Sequence, residues 1–256
     1  MKIAICIQGL IGKSWSPSVY EEYFYKTLIK PNLDHEIDIF LQTWTTVDSF
    51  NRHSRNTIEK YNTELINKNQ IINLYGPKDY IIEEFSYKDF VVNNFTDKKV
   101  ISDKNNNQEG EIFFDPELGY NKNINVHAGF IQVYTWHKTT LMCEKYDNYD
   151  VGIRTRFDIM MNRPLDLNKY DFDVDFMYGD ISCSGNNEYG FCPDLFFGPY
   201  EIFKQINYFK NISSFLKERN SMCNIESFNE YYLLKSGIKF KQSELFYPPD
   251  FARLLH

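Results

Sequence analysis

Five residues, Arg154-Thr155-Arg156-Phe157-Asp158, close an apolar run that begins at Asp150. Read as a strand, the run puts Arg154, Arg156 and Asp158 on one face, because successive side chains alternate. Two guanidiniums and a carboxylate on one face of an interior strand are costly to bury without partners. Two readings are open. In one, an internal Arg–Asp ion pair closes the strand end. In the other, the arginines grip a diphosphate bidentately, and Asp158 holds a divalent cation that bridges its oxygens.

Further carboxylates follow at Asp180, Glu188, Asp194, Glu226 and Glu230. Asp194 starts the apolar stretch PDLFFG, where it is either a turn cap near Gly198 or a general base for an acceptor hydroxyl. Glu226 opens ESFNEYYLL, where the helix dipole favours a carboxylate, and it is the second base candidate. Upstream, Gly12-Lys13-Ser14 has the end of a phosphate-binding P-loop, but Ile7 stands where the loop needs its first glycine and Pro17 removes a donor. A P-loop is therefore not expected. Gln8, Gly9 and Lys13 stay as donor-site candidates at the carboxyl end of a first strand, where α/β sheets bind ligands. The histidines lack metal spacing, since His127 and His137 are ten apart on one predicted helix. Trp44 is a candidate stacking surface or a core aromatic.

The elements that position these groups alternate. Lys2–Leu10 reads as a buried strand and Pro17 starts a helix through Tyr20, Phe24 and Leu28. Ile37–Thr43 is a second strand, Asp48 caps a polar helix to about Ile66, and Gln70–Tyr75 is a third strand. That βαβαβ order predicts an α/β fold: a doubly wound, mostly parallel or mixed sheet with a Rossmann-like N-terminal half. Lys98–Asn125 is polar and rich in asparagine, and reads as a long loop or flap. A helix over about Val126–Lys145 leads into the strand Asp150–Arg156. Phe172–Tyr178 and Cys192–Phe197 are further strands, Pro199 opens a helix, and Glu226–Leu234 is a last helix stopped at Gly237.

Composition narrows the function classes. The chain has 256 residues, a net charge of −7 and a pI near 5.3, which argues against nucleic acid as a partner. With 43% hydrophobic and 25% charged residues it has the make-up of a folded chain with a core. Its 17% aromatic content fits AT-rich coding bias as well as sugar stacking. The five cysteines are scattered and form no C-x-x-C pair, so reduced thiols in a cytoplasmic protein are expected. No transmembrane segment or signal peptide is expected, since the first apolar run is too short to span a bilayer.

The chain resembles glycosyltransferases of polysaccharide and lipopolysaccharide synthesis with a GT-A-like nucleotide-sugar fold. The resemblance is carried by IAICIQGL, IDIFLQTW, LYGPKDYIIEEF, YDNYDVGIRTRFDIM, PDLFFGPYEIF and ESFNEYYLLKSGI. It implies one domain over 1–256, with a nucleotide-binding half at about 1–158 and an acceptor half at about 159–256. It implies transfer of a sugar from a nucleotide-diphosphate sugar to a hydroxyl of a glycan acceptor, assisted by Mn²⁺ or Mg²⁺. Such enzymes carry D-x-D at a strand end for the metal and the diphosphate; here Arg156 replaces the first carboxylate and Asp158 keeps the second. Arg154 and Arg156 would hold the diphosphate, and Gln8, Gly9 and Lys13 the rest of the donor. Two other classes stay open: a nucleotide-dependent kinase or nucleotidyltransferase on an α/β sheet, and an inactive glycan-binding relative. A site at the cytoplasmic side of a membrane where glycans are assembled is compatible with all three.

Overall fold

An uninterrupted apolar run makes β1 (Lys2–Gln8) the centre of the sheet, with every residue from Ile3 to Gln8 buried. Burial on both faces is what a central parallel strand requires. The computed structural model describes residues 1–9, 11, 16–50, 58–61, 67–85, 124–146, 148–157, 159–161, 163–180, 192–206, 236–243 and 251–253, some of them, such as 192–194, by backbone alone. On one side β1 pairs in parallel with β2 (Glu36–Phe50), and on the other with β5 (Val151–Arg156). Its register sets Cys6 opposite Phe40 and Arg154, and Gln8 opposite Gln42 and Arg156.

The sheet extends outward through β3 (Ile58–Tyr61), β4 (Asp79–Phe85), β7 (Phe176–Asp180), β8 (Cys192–Pro199) and β9 (Lys239–Gln242). The path is β3-β2-β1-β5-β8-β7-β9, with β4 also paired to β2. The β1–β2, β1–β5, β2–β4 and β7–β9 ladders are parallel; β2–β3, β5–β8 and β7–β8 are antiparallel. This mixed, mostly parallel α/β sheet agrees with the expected fold class. Two short strands, β6 (Ile159–Met161) and β10 (Phe251–Arg253), pair separately.

Helices cover both faces. Ile3, Ile5, Ile7, Ile39, Leu41, Val151 and Ile153 share one core with Phe24, Leu28, Ile71 and Tyr75. Phe24 and Leu28 come from a π-helical stretch (Glu21–Ile29) that continues α1 (Pro17–Tyr20), and Lys30 N–H donates to Tyr25 O five residues back. Ile71 and Tyr75 come from α2 (Lys68–Tyr75). On the opposite face α3 (Ile124–Glu144) crosses β1, and Trp136 meets Phe196 of β8 at 5.6 Å between ring centroids. A short α4 (Tyr200–Phe203) follows Pro199 and sets Phe203 against Gly152.

Two expected elements are different. Gln70–Tyr75 is not a strand: α2 is a helix, capped by the Asn67 side chain accepting from Asn69 N–H and ended by Gly76 at φ 54°. Ile71 and Tyr75, four apart, are its buried residues, which is helical spacing. The polar helix from Asp48 does not form at its start either. Strand β2 runs on to Phe50, and β3 pairs back on it from Val47 opposite Tyr61 to Phe50 opposite Ile58. The β-branched and aromatic residues of WTTVDSF suit a strand better than a helix. The expected Lys98–Asn125 loop, up to residue 123, and the Glu226–Leu234 helix lie outside the described residues.

Candidate functional site

Two neighbouring parallel strands, β1 and β5, end at one level, and β2 passes them there. Gln8 of β1 lies between Gln42 of β2 and Arg156 of β5 in the ladder, and paired residues of a parallel sheet share a face. The chain leaves β1 towards β2 and returns on its other side at β5. The crevice outside the carboxyl ends of β1 and β5 is therefore a topological switch point, the place where open α/β sheets bind ligands.

Backbone bonds fix the floor of this crevice. Gly9 N–H donates to Gln42 O at 3.1 Å, Phe157 N–H donates to Gln8 O at 3.2 Å, and the Thr43 hydroxyl donates to Gly9 O at 2.8 Å. Gly9 has φ 96°, a left-handed conformation that side-chain-bearing residues rarely adopt. Among the described residues, a Cβ built on it would meet nothing within 4 Å. Here glycine is required by the backbone angle.

The side chains differ in depth. Gln8 and Gln42 are buried, at 1% and 0% exposure, while Arg156 is half-buried at the rim. Among the described residues the Gln42 amide has no hydrogen-bond partner for its nitrogen or its oxygen. Arg154, two residues before Arg156 and on the same face, is only 2% exposed. Its guanidinium lies over the Trp136 ring and 5.4 Å from the Phe196 centroid, a desolvated cation–π arrangement beneath α3. Trp44, two residues beyond Gln42, is also buried, at 4% exposure.

The antiparallel strand β8 brings its amino end to this edge. Phe196 pairs with Arg154, and Asp194 lies two residues earlier on β8, in the stretch where the β7–β8 register shifts between Gly179 opposite Phe196 and Asp180 opposite Cys192. Asp180, the last residue of β7, pairs with Cys192 at the same edge. The structure thus gathers Gln8, Gly9 and Arg156, sets Arg154 below them, and brings β8, the strand that carries Asp194, alongside β5. Lys13, Asp158 and Glu226 lie outside the described residues. Among the described residues, no three His, Cys, Asp or Glu side chains come together as a metal-binding set.

Sequence reasoning missed Gln42, although the signal was present. An amide interrupts IDIFLQT as Gln8 interrupts IAICIQ, and both fall where their strands reach the crevice.

No family model matches the sequence, and no curated protein does. Among solved structures the chain is similar to the apo form of mouse xyloside xylosyltransferase 1. The TM-score is 0.45 with 9% identity, over 95% of this chain and 85% of that one. It is also similar to the apo form of the glycosyltransferase GlyE of Streptococcus pneumoniae TIGR4. There the TM-score is 0.41 with 13% identity, over 94% of this chain but 45% of that one. Both scores are low, and the reading of the site rests on its own residues.

Proposed function

We propose that the chain is a glycosyltransferase that moves a sugar from a nucleotide-diphosphate sugar to a hydroxyl of a glycan acceptor, as one domain over 1–256. The observation that carries the reading is the convergence of Gln8, Gly9, Gln42 and Arg156 on a crevice at the switch point. The Gln42 amide offers a donor and an acceptor to a nucleoside, and the Arg156 guanidinium at the same strand ends suits a diphosphate. The sequence resemblance to GT-A-like enzymes supports the same assignment.

In this mechanism Arg156 binds the diphosphate and stabilises the negative charge that grows on it as the bond to the sugar breaks. Arg154, about 6.6 Å further down the strand, acts through its field rather than by contact. Lys13 adds positive charge from the segment after β1. Asp194, on the strand beside Arg156, takes the acceptor proton, with Glu226 as the other candidate base. The arginines at this strand end suit an anion, and these steps are assigned to cationic groups. A divalent cation at Asp158, Mn²⁺ or Mg²⁺, is the remaining part of the proposal.

A thermal-shift panel of UDP-, GDP-, CMP- and dTDP-sugars, with Mn²⁺ or with EDTA, tests the reading. A cognate donor at about 100 times its Kd adds roughly 2.7 kcal/mol of stability. Release of nucleotide should then follow when an acceptor is supplied. Labelling of an acceptor by ATP, with no response to any nucleotide sugar, would replace this reading with a kinase or nucleotidyltransferase. A donor effect that EDTA leaves unchanged would remove the cation and leave Arg156 to act alone.

A further inference from the structure

Two thiols meet inside the molecule, below the crevice. Cys6 of β1 and Cys143 in the last turn of α3 stand 3.0 Å apart at their sulfurs, 137 residues apart in the chain. Both are free thiols, and both are fully buried. An S–S bond is about 2.05 Å long, so closure needs a movement of only about 1 Å. The elements already abut here, since Cys6 Sγ also lies 3.9 Å from Thr139 O, one turn earlier on α3.

We propose that Cys6 and Cys143 form an oxidative modification site, at which a peroxide converts the thiol pair into a disulfide that staples α3 to the central strand. One thiolate attacks the peroxide O–O bond and becomes a sulfenic acid, releasing one water from hydrogen peroxide. The second thiol then displaces the sulfenic oxygen as another water and forms the S–S bond. Two thiols and one peroxide give one disulfide and two waters. Both electrons that reduce the peroxide come from the sulfurs.

Position gives the staple its consequence. Cys6 lies two residues before Gln8 on the same strand face, and Cys143 is two turns along α3 from Trp136, which covers Arg154. The bond would fix the two elements that frame the crevice floor. Burial and the contact with Cys6 push the Cys143 thiol far above the ordinary cysteine range. Cys143 thiolate is therefore scarce, and attack from that sulfur is slow at neutral pH and quickens about tenfold per pH unit as its thiolate increases. This separates the pair from exposed sensor cysteines, which react at once.

The test treats the folded full-length protein with hydrogen peroxide, alkylates remaining thiols in denaturant, and maps peptides by mass spectrometry. The expected product is a Cys6–Cys143 cross-link with loss of two hydrogens, reversed by dithiothreitol. The thermal midpoint of the cross-linked protein should rise by at least about 5 °C, because the closed loop is long. Cys143→Ala should show neither change; if that variant fails to fold, the wild-type peptide map decides alone. Full alkylation of both residues after peroxide has oxidised the other cysteines would overturn the proposal. So would sulfinic acid on either without a cross-link, bonds to Cys183, Cys192 or Cys223 instead, or a midpoint left unchanged or lowered.

Discussion

Gln42 is held at 0% exposure with an amide that finds no partner among the described residues. A buried amide without partners costs about 1–3 kcal/mol in proteins, so this side chain weakens the free molecule. Under the proposed function, the nucleoside supplies the missing partners. Gln42→Met should then raise the unfolding free energy by about 1–2 kcal/mol while weakening donor binding. Denaturant melts and calorimetry measure the two effects; a variant that loses both stability and affinity would assign Gln42 to structure alone. Asp194 carries a second prediction at this scale. A general base contributes 10²–10⁴-fold to rate, so Asp194→Asn should bind donor normally while turnover falls by about that factor. If turnover stays within about threefold of wild type, well short of that range, Glu226→Gln becomes the variant to examine. Gln8, Gly9, Arg154 and Arg156 were legible because each interrupts or ends an apolar run. The depth of Arg154 was not. Strand alternation states which face a residue occupies, but not that Trp136, 18 residues earlier, would cover it.

Element boundaries follow from local chemistry where caps are explicit and fail where a short apolar run stands alone. IINLY suits strand or helix by composition. The deciding marks were Asn67 and Gly76 on either side, a side-chain cap and a left-handed stop. Beyond Trp44, strand β2 was legible only in its β-branched residues, since the polar stretch after it suggested a helix. The contact between β5 and α4 had no sequence signal at all. Gly152 faces Phe203 so closely that an added Cβ would overlap the ring, and a Cβ added to Gly198, its partner on β8, would come within 2.6 Å of Met177 Sδ. Gly152→Ala should therefore cost about 1–3 kcal/mol, the range for overpacking a close-packed site. Adding Phe203→Leu should restore part of that loss in a double-mutant cycle. Additive losses in the cycle would show that the two residues do not meet.

At the scale of the whole molecule, aromatic packing sets a limit on the alkaline side. Burial and the neighbouring Tyr20 push the Tyr75 hydroxyl well above the ordinary tyrosine range, and burial with a hydrogen bond to Asp38 does the same for Tyr149. In the unfolded chain these phenols ionise near pH 10, whereas in the folded chain they stay neutral. Their contribution is thus complete below about pH 10 and declines as pH rises above it. Each should remove about 1.4 kcal/mol per pH unit there. Urea melts between pH 9 and 12 measure the slope, and Tyr75→Phe should flatten it; an unchanged slope would place the alkaline transition elsewhere. The α/β class was legible from the alternation of elements, but the antiparallel β8 between β5 and β7 was not, because strand direction leaves no mark on composition. The seat of β1 between β2 and β5 also bears on biogenesis. Lys2 N–H meets the Asp150 carboxylate across 148 residues of chain. At about 5–20 residues per second, roughly 5–20 s separate the emergence of β2 from that of β5. During that interval one edge of the most apolar strand waits without its partner, open to wrong pairing. A nascent chain halted before Val151 is accordingly the species for which a chaperone matters most.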